Sequence, residues 1–301
     1  MSGRYPDWTS DGAGWPNRGL SSFVSASGYR WHVQRMGQEK EEQGAPRCLL
    51  LHGTGAATHS WRDLMPLLAE HFDVLALDLP GHGFTRSNFG QAVTLPGMAA
   101  SVAALLEAEE FAPDLIVGHS AGAAIGIQML LASGRKVPLV GLNPALLPFP
   151  GLAAKLFPSL AQLLFANPLV SVIVARMMRA PTEPERFLRR ATGSRLDAAG
   201  LRSYRALLTK SGHCDGAIRM MANWRLEDLQ AQLPGFAVPV LLVHATGDTA
   251  IPATAVRQAA NLLPAARLVT LESLGHLAHE EQPQEAAELI TAFFEEASQG
   301  D

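Results

Sequence analysis

A chain of 301 residues that is 48% hydrophobic and 17% charged can bury a large core, which excludes an intrinsically disordered protein. Its formal net charge of -4 provides no overall positive field, so we predict that nucleic acid is not a partner. The two cysteines, Cys48 and Cys214, are too few for a disulfide framework or a CxxC metal site.

The sequence pattern of the N-terminal region predicts an irregular arm followed by a hairpin. Residues 1–20 show no periodicity, and we expect Trp8 and Trp15 to hold this arm in place if it is ordered. No basic segment followed by an apolar one opens the chain, so we expect no secretory signal and a cytoplasmic protein. Two strand-like runs, Ser22–Ala26 and Tyr29–Met36, flank a Ser-Gly turn signal.

From Arg47 onward, short continuous apolar runs alternate with helical patterns, which is typical of parallel strands buried on both faces. The predicted strands are Cys48–Leu51, Val74–Leu79, Leu115–Val117, Leu139–Leu142, Val240–His244 and Arg267–Leu271. The predicted helices are Trp61–His71, Leu95–Phe111, Ala121–Ser133, Ala253–Leu263 and Pro283–Ala297. The fold class is therefore α/β, with a mostly parallel central sheet flanked by helices.

The alternation breaks between residues 144 and 238, a stretch too long for a single crossover. We interpret 144–238 as an inserted helical cap, or lid, on a core formed by 21–143 and 239–298. The apolar half of the cap, Leu146–Met178, is interrupted by prolines. Because no uninterrupted run reaches the roughly 18 to 20 residues that a bilayer span needs, we predict no transmembrane segment.

A candidate nucleophile lies in the run Gly118-His119-Ser120-Ala121-Gly122. This G-x-S-x-G run directly follows a predicted strand and directly precedes a helical pattern, which is the context of a nucleophile elbow. Glycines flank the serine because a Cβ there would collide with the strand or the helix of such a tight turn. The alternative is a Gly-Ser loop that merely links a strand to a helix.

A serine hydroxyl needs a base within hydrogen-bond reach and a group that orients this base. Asp248 and His276 each follow a predicted strand, so the sequence predicts a catalytic triad of Ser120, Asp248 and His276. His279 is the competing base, but only His276 follows a glycine that lets its loop swing inward. The alternative role for Asp248 is a turn aspartate that caps the helix near Ala253.

Acyl transfer also needs donors for the developing oxyanion. The backbone amides of Ala121, which follows the nucleophile, and of Thr54, in the loop after the first buried strand, are the predicted donors. His82 is predicted to be structural. A serine nucleophile indicates acyl transfer, whereas an aspartate would suit alkyl displacement. The ten histidines are dispersed without an HExxH pattern, so we predict neither a metal site nor a cofactor.

These motifs together resemble the α/β-hydrolase superfamily across about residues 20–298, and Ser, Asp and His follow each other in its order. Further runs carry a closer resemblance: Asp11-Gly12, Trp15 to Arg18, Trp31 to Gln34 and His52 to Arg62. They are similar to the magnesium-chelatase accessory proteins of bacteriochlorophyll biosynthesis in purple bacteria. This resemblance implies a role in magnesium insertion into protoporphyrin and, as partners, a tetrapyrrole or the chelatase subunits.

Three functions remain open on the sequence. The first is an accessory factor that binds a tetrapyrrole or the chelatase. The second is a free-standing carboxylic ester hydrolase for an apolar substrate, and the third is a catalytically silent binding module. Between Ala180 and Lys210 the predicted cap carries seven basic and three acidic side chains. Such a patch suits porphyrin propionates, an acidic partner or a peripheral contact with anionic lipid, or else it is an ordinary solvated face.

Overall fold

The computed structural model describes residues 3–37, 44–87, 93–148 and 167–299. Within these ranges the strands are β1 Ser21–Ala26, β2 Tyr29–Met36, β3 Arg47–Leu51, β4 Asp73–Leu77, β5 Arg86–Ser87, β6 Leu115–His119, β7 Leu139–Leu142, β8 Val240–Ala245 and β9 Ala266–Leu271. The helices are α1 Leu64–Leu68, α2 Leu95–Ala108, α3 Ala121–Ser133, α4 Pro168–Met177, α5 Glu183–Thr192, α6 Ala198–Leu208, α7 Ser211–Asn223, α8 Glu227–Gln232, α9 Ala253–Leu262, α10 Ala278–Glu281 and α11 Pro283–Ser298. Short 3-10 turns occupy Arg18–Leu20, Thr58–Trp61 and Leu233–Gly235.

One mostly parallel sheet contains all the described strands, in the order β1-β2-β4-β3-β6-β7-β8-β9, with β5 beside β2. The ladders from β4 through β3, β6, β7 and β8 to β9 are parallel, and β2 pairs antiparallel with β1, β4 and β5. The α/β fold predicted from the sequence is confirmed. The parallel strands place their carboxyl ends, and the loops that follow, at one edge of the sheet.

Helices cover both faces of the sheet, and strand β3 shows how. Leu49 and Leu51 pack into the apolar cluster that contains residues of α2, α3 and α9. Cys48 and Leu50 pack into the cluster formed with α1 and α11. Successive side chains of a strand point to opposite faces, so a strand buried on both faces must be apolar at every position.

The predicted hairpin at the N-terminal edge of the sheet is confirmed. Ser27 has a φ of 50° and Gly28 a φ of 77°, so both residues of the turn adopt the left-handed region. A two-residue turn of this kind matches the twist of the paired strands, and it brings Ala26 opposite Tyr29.

Tryptophans anchor the N-terminal arm to the rest of the molecule. Trp15 is 4% exposed, and its indole Nε1 donates to Thr58 Oγ1 over 3.0 Å. The ring of Trp8 packs edge-on against Phe23 and Phe84, with centroids 5.4 and 4.8 Å away. The arm is therefore attached at two points of the core by the residues that the sequence singles out.

The predicted helix Trp61–His71 is wrong in extent. The structure has a 3-10 turn up to Trp61 and then the short helix α1. Pro66 explains the break, because proline lacks the N–H that would bond to the carbonyl of Arg62 and its ring would clash with that carbonyl. Asn17 Nδ2 donates to the Arg62 carbonyl instead, over 3.2 Å. The other predicted strands and helices are confirmed, with ends that differ by at most three residues.

The described residues between β7 and β8 that adopt regular structure are helical and comprise α4 to α8 with one 3-10 turn. Residues 149–166, which fall in the apolar half of the predicted cap, lie outside the described residues. The division into a core and a cap with boundaries at 144 and 238 stays a prediction. No described helix is both long enough and apolar enough to cross a membrane.

Candidate active site

Ser120 occupies a strained turn between β6 and α3. Its φ of 52° and ψ of -116° lie in a region that residues with a side chain rarely adopt. A Cβ on Gly118 would lie 2.4 Å from Ala123 N, and one on Gly122 would lie 1.9 Å from the Leu51 carbonyl oxygen. Both flanking positions therefore require glycine, and the turn holds Ser120 at the carboxyl edge of the sheet.

Asp248 follows β8, His276 follows β9, and the two side chains meet. His276 Nδ1 lies 2.7 Å from Asp248 Oδ2, which also accepts a hydrogen bond of 2.8 Å from Asn143 Nδ2. The other carboxylate oxygen, Oδ1, accepts from the amides of Ala250 and Ile251 over 2.7 and 2.9 Å. The buried carboxylate of Asp248 therefore has four hydrogen-bond donors.

These donors determine the charge of Asp248. Burial alone would raise its pKa, but the hydrogen bond and charge of His276, with the Ile251 and Asn143 donors, outweigh burial and lower the pKa. The carboxylate is then ionised at neutral pH and accepts the Nδ1 proton of His276, which leaves Nε2 free to accept another proton. Asp248 does bind the amides of the turn that follows it, but it does not cap α9, whose N-cap residue is Pro252.

His119 connects the elbow to the loop that carries His276. Its Nε2 donates to the His276 carbonyl oxygen over 3.0 Å, and the two imidazole rings lie 4.7 Å apart. Among the described residues no hydrogen bond joins the Ser120 hydroxyl to the His276 ring. In serine hydrolases the contact between the nucleophile and the base often tightens only when the substrate binds.

The competing histidine, His279, lies in a different environment. Its Nε2 lies 3.0 Å from the Ser60 hydroxyl, which itself donates to Glu280 over 2.6 Å. Burial, with the charges of His276 and Arg62, lowers the pKa of His279 to about 3. His279 is thus a buried neutral histidine, and the structure pairs the Asp248 carboxylate with His276 instead.

The two amides predicted for an oxyanion hole flank the elbow. The loop of Thr54 runs against it, since a Cβ on Gly53 would lie 3.0 Å from Ser120 Cβ. Ala121 is the first residue of α3, where the backbone amides have no partner within the helix. Neither the Thr54 nor the Ala121 amide donates to another described residue. Both are free for an anionic oxygen, and their role stays a prediction.

His82 and the carboxylate near it support the loops on the other side of the elbow. His82 Nδ1 donates to the Pro80 carbonyl over 3.1 Å, and burial holds its pKa well below the ordinary value. Asp78 lies fully buried, 2.8 Å from His32 Nδ1, and also accepts from the Phe84 amide. These contacts are structural. Across the described ranges no three His, Cys, Asp or Glu side chains form a group that could hold a metal ion.

Sequence reasoning missed Asn143. This residue directly follows β7, has a φ of 46° and orients the Asp248 carboxylate. A usable signal was present, since Asn143 is a polar residue at the carboxyl end of a central strand, the same pattern that identified Asp248. The contribution of His119 to the His276 loop had no such signal, because it depends on how two distant loops pack.

Residues 48–289 match the family model described as the alpha/beta hydrolase family, and the chain belongs to this family. Over 269 residues it is 39% identical to the "Magnesium-chelatase 30 kDa subunit" of Rhodobacter capsulatus. This alignment covers 89% of this chain and 92% of the relative. This match confirms the closer resemblance in the sequence.

Two further comparisons concern one curated relative and one solved structure. It is 30% identical over 256 residues to a pimeloyl-[acyl-carrier protein] methyl ester esterase of Xanthomonas axonopodis pv. citri, covering 82% of this chain and 95% of the esterase. A putative lipase from Acinetobacter baumannii superposes with a TM-score of 0.76 at 18% identity, covering 93% of this chain and 92% of the lipase. The lipase match shows the shared fold alone.

Proposed function

We propose that this chain is an accessory protein of magnesium insertion into protoporphyrin that hydrolyses an acyl ester with Ser120, His276 and Asp248. The identity to a magnesium-chelatase 30 kDa subunit supports the accessory role. The observation that carries the chemistry is the 2.7 Å contact between His276 Nδ1 and Asp248 Oδ2 beside the strained elbow of Ser120. The esterase relative supports an ester as the substrate class.

The proposed reaction begins when Ser120 Oγ attacks the ester carbonyl carbon while His276 Nε2 takes the hydroxyl proton. Asp248 stabilises the imidazolium that forms, and the amides of Ala121 and Thr54 bind the oxyanion. Collapse of the tetrahedral intermediate breaks the ester bond, and His276 returns its proton to the departing alcohol. Water then attacks the acyl-enzyme by the same steps and releases the acid.

A fluorophosphonate probe with mass spectrometry tests whether the triad is assembled. We expect one adduct on Ser120 of the folded wild type, none on Ser120→Ala, and an unchanged adduct on Ser133→Ala. Ser133 is a matched control because it lies on α3, and its hydroxyl donates only to the backbone of its own helix. Absence of the adduct in folded wild-type protein would contradict the proposed chemistry.

Complementation tests whether the accessory role needs the nucleophile. In a purple bacterium that lacks the corresponding gene, we expect the wild type and Ser133→Ala to restore bacteriochlorophyll and Ser120→Ala to fail. Full restoration by Ser120→Ala would instead support a silent binding module. In that case titrations of the folded chain with protoporphyrin and with chelatase subunits identify the partner.

The second candidate function is a free-standing carboxylic ester hydrolase, which the 30% identity to an esterase favours. It predicts turnover of apolar p-nitrophenyl esters by the wild type and none by Ser120→Ala. It also predicts that loss of the gene leaves magnesium insertion unchanged. Normal bacteriochlorophyll content in the deletion strain would therefore favour this candidate over the accessory role.

A further inference from the structure

Helix α4 is apolar on the side that faces away from the molecule. Its buried positions Ser171 and Ala175 point inward, together with Met178, the residue that follows the helix. The outward residues are 50 to 63% exposed and lie three or four positions apart on one face: Leu169, Val172, Ile173 and Met177. A surface helix normally exposes its polar face, so this apolar stripe indicates a contact surface.

The apolar surface continues onto the neighbouring helix α5. A groove of about 570 Å³ lies between the end of α4 and α5, with Met177, Met178 and Phe187 among its lining residues. Phe187 is 43% exposed. The same groove is lined by the guanidinium-bearing side chains of Arg186, Arg189 and Arg190. We call α4, α5 and this groove the α4–α5 surface.

The charge of this surface is opposite to that of the whole chain. From residue 168 to residue 192 it carries five arginines and two glutamates, whereas the formal charge of the chain is -4. Of these arginines only Arg186 forms a side-chain ion pair with a described residue, to Glu183 over 3.2 Å. The other four guanidinium groups belong to exposed residues without an ion pair to a described residue, so they are available to anions outside the molecule.

We propose that the α4–α5 surface docks on an anionic lipid bilayer. A bilayer places acyl chains directly beneath a layer of phosphates, so the apolar stripe enters the interface while the arginines reach the phosphates. The surface fits this geometry because the apolar side chains project from a convex helix face and the arginines lie at its C-terminal end and on the adjoining helix.

Vesicle cosedimentation of the full chain tests this docking. We expect binding to phosphatidylcholine vesicles that contain about one third phosphatidylglycerol, little binding to pure phosphatidylcholine, and release by salt. Two double variants should each weaken vesicle binding by about tenfold or more: Val172→Ser with Ile173→Ser, and Arg189→Glu with Arg190→Glu. The matched controls Leu20→Ser and Arg257→Glu, at exposed sites outside this surface, should bind as the wild type.

Three outcomes would overturn the proposal. They are no binding to anionic vesicles, equal binding of the wild type and the two double variants, and occupation of the surface by a second copy. The last would appear in analytical ultracentrifugation as a dimer that Val172→Ser with Ile173→Ser lacks. The proposal would also fail if no form of the protein bound vesicles while a chelatase subunit bound the wild type but not Val172→Ser with Ile173→Ser. That result would assign the surface to a protein partner.

A second, independent observation concerns the C-terminal end of α5, which holds the loop of His276. The amide of His276 donates to the Thr192 carbonyl over 2.7 Å, and the amide of Leu277 donates to Ser194 Oγ over 2.8 Å. Ser194 is itself fixed, because its amide donates to Thr192 Oγ1 over 3.1 Å. Two successive amides of the loop thus bind residues at the C-terminal end of α5 and just after it.

The same end of α5 also touches the loop of Asp248. A Cβ on Gly193, whose φ is 72°, would lie 2.1 Å from the Gly247 carbonyl oxygen. A Cβ on Gly275 would lie 2.3 Å from Ser194 Oγ. The approach of the α5 terminus to both loops therefore depends on glycine at these positions, where no side chain separates the backbones.

The geometry points to Ser194 as a positioning residue that fixes His276 against Asp248, an inference that rests on the proposed function. In Ser194→Ala the Leu277 amide loses its acceptor, so the loop gains freedom while the triad stays complete. We expect about tenfold slower fluorophosphonate labelling of Ser120 and a shifted midpoint of its pH profile. The matched control is Ser203→Ala, a buried serine of α6 whose hydroxyl bonds only to its own helix.

Hydrogen exchange separates this inference from the proposed function. In Ser194→Ala the amides of His276 and Leu277 should exchange about tenfold faster than in the wild type, or more. Ser203→Ala should leave the exchange rates of these two amides unchanged. The wild type could fail to react with the fluorophosphonate probe while amide exchange still rises in Ser194→Ala. This result would contradict the proposed reaction of Ser120, but it would support the anchoring of the His276 loop by Ser194. Unchanged exchange, or unchanged labelling in a reactive protein, would overturn the positioning role.

Discussion

His119 Nε2 donates a hydrogen bond of 3.0 Å to the backbone carbonyl of His276. The ring is fully buried, and burial, with the charges of His279 and His276, holds its pKa well below the ordinary value despite this hydrogen bond. His119 is therefore neutral with its proton on Nε2. The residue before the candidate nucleophile thus binds the backbone of the proposed base, so a buried hydrogen bond links the elbow directly to the histidine loop.

His119→Ala should slow fluorophosphonate labelling of Ser120 by about tenfold, because the loop of His276 loses one buried hydrogen bond. Urea unfolding should show a loss of about 2 to 4 kcal/mol, since the substitution also leaves a cavity. His82→Ala is a control of similar burial that does not contact the His276 loop. Labelling of His119→Ala at the wild-type rate, with the fold intact, would contradict this linkage.

Asp248→Asn should lower the labelling rate of Ser120 by about three to four orders of magnitude. The amide nitrogen that replaces one carboxylate oxygen would direct its N–H groups toward the donors that now bind that oxygen, and the side chain would no longer fix the Nδ1–H tautomer of His276. The labelling rate of Ser120 is measured at a fluorophosphonate concentration that limits the reaction. Asp228→Asn, an exposed aspartate in the first turn of α8, should react as the wild type.

The lowered pKa of Asp248 also predicts a pH dependence of stability. Because the folded pKa lies below the unfolded value of about 4, the stabilisation is present above pH 4 and is lost as the pH falls through the folded pKa. Urea unfolding between pH 3 and pH 6 should therefore show a smaller acid-induced loss in Asp248→Asn than in Asp228→Asn. Parallel curves for the two variants would contradict the prediction.

Glu280 predicts a pH dependence of opposite sign. Burial raises its pKa to about 7, although hydrogen bonds from Ser60, Tyr204 and Arg62 act to lower it. Its stabilisation is complete below the unfolded pKa and is lost as the pH rises through about 7, by about 3 kcal/mol in total. Glu280→Gln should flatten the free energy of unfolding between pH 5 and 8.

The matched control for Glu280 is Glu285→Gln, which replaces an exposed glutamate in the first turn of α11. Its unfolding curve should follow the wild type across the same pH range. A Glu280→Gln variant that keeps the wild-type slope would show that another group titrates in this window.

Gly122→Ala should prevent folding or lower the thermal midpoint by more than about 10 °C, because the new Cβ would lie 1.9 Å from the Leu51 carbonyl oxygen. That oxygen belongs to β3 in the centre of the sheet, so it has little room to move. Gly235→Ala places a methyl group in open space and should change the midpoint by at most a few degrees. Circular dichroism melts distinguish the two variants.

The sequence predicted the sheet because the apolar runs of its central strands are continuous, as burial of β3 on both faces demands. It predicted the elbow because Gly118 and Gly122 are needed wherever a serine takes this turn. The helix beginning at Trp61 was predicted too long, since the periodicity of Leu64 and Leu68 persists across Pro66 even though the backbone hydrogen bonds cannot.

The support of the candidate site was harder to predict because it comes from long-range packing. Thr192 and Ser194 hold the loop of His276 from about eighty residues upstream, and no local pattern marks them. Glu280 reads as an ordinary helix glutamate in the sequence, and only its enclosure by Ser60 and Tyr204 changes its charge behaviour. Such effects depend on the three-dimensional surroundings of each group.

Helix α5 has two distinct contacts, since its outer face lines the basic groove and its C-terminal end binds the loops of Asp248 and His276. If the proposed docking favours one orientation of this helix, these contacts would couple that preference to the loop of the imidazole, and such a linkage is reciprocal. Occupancy of the serine would then change the affinity for the membrane by the same factor. Under the two proposals above, the state of Ser120 would change the fraction of the protein that is bound to the membrane.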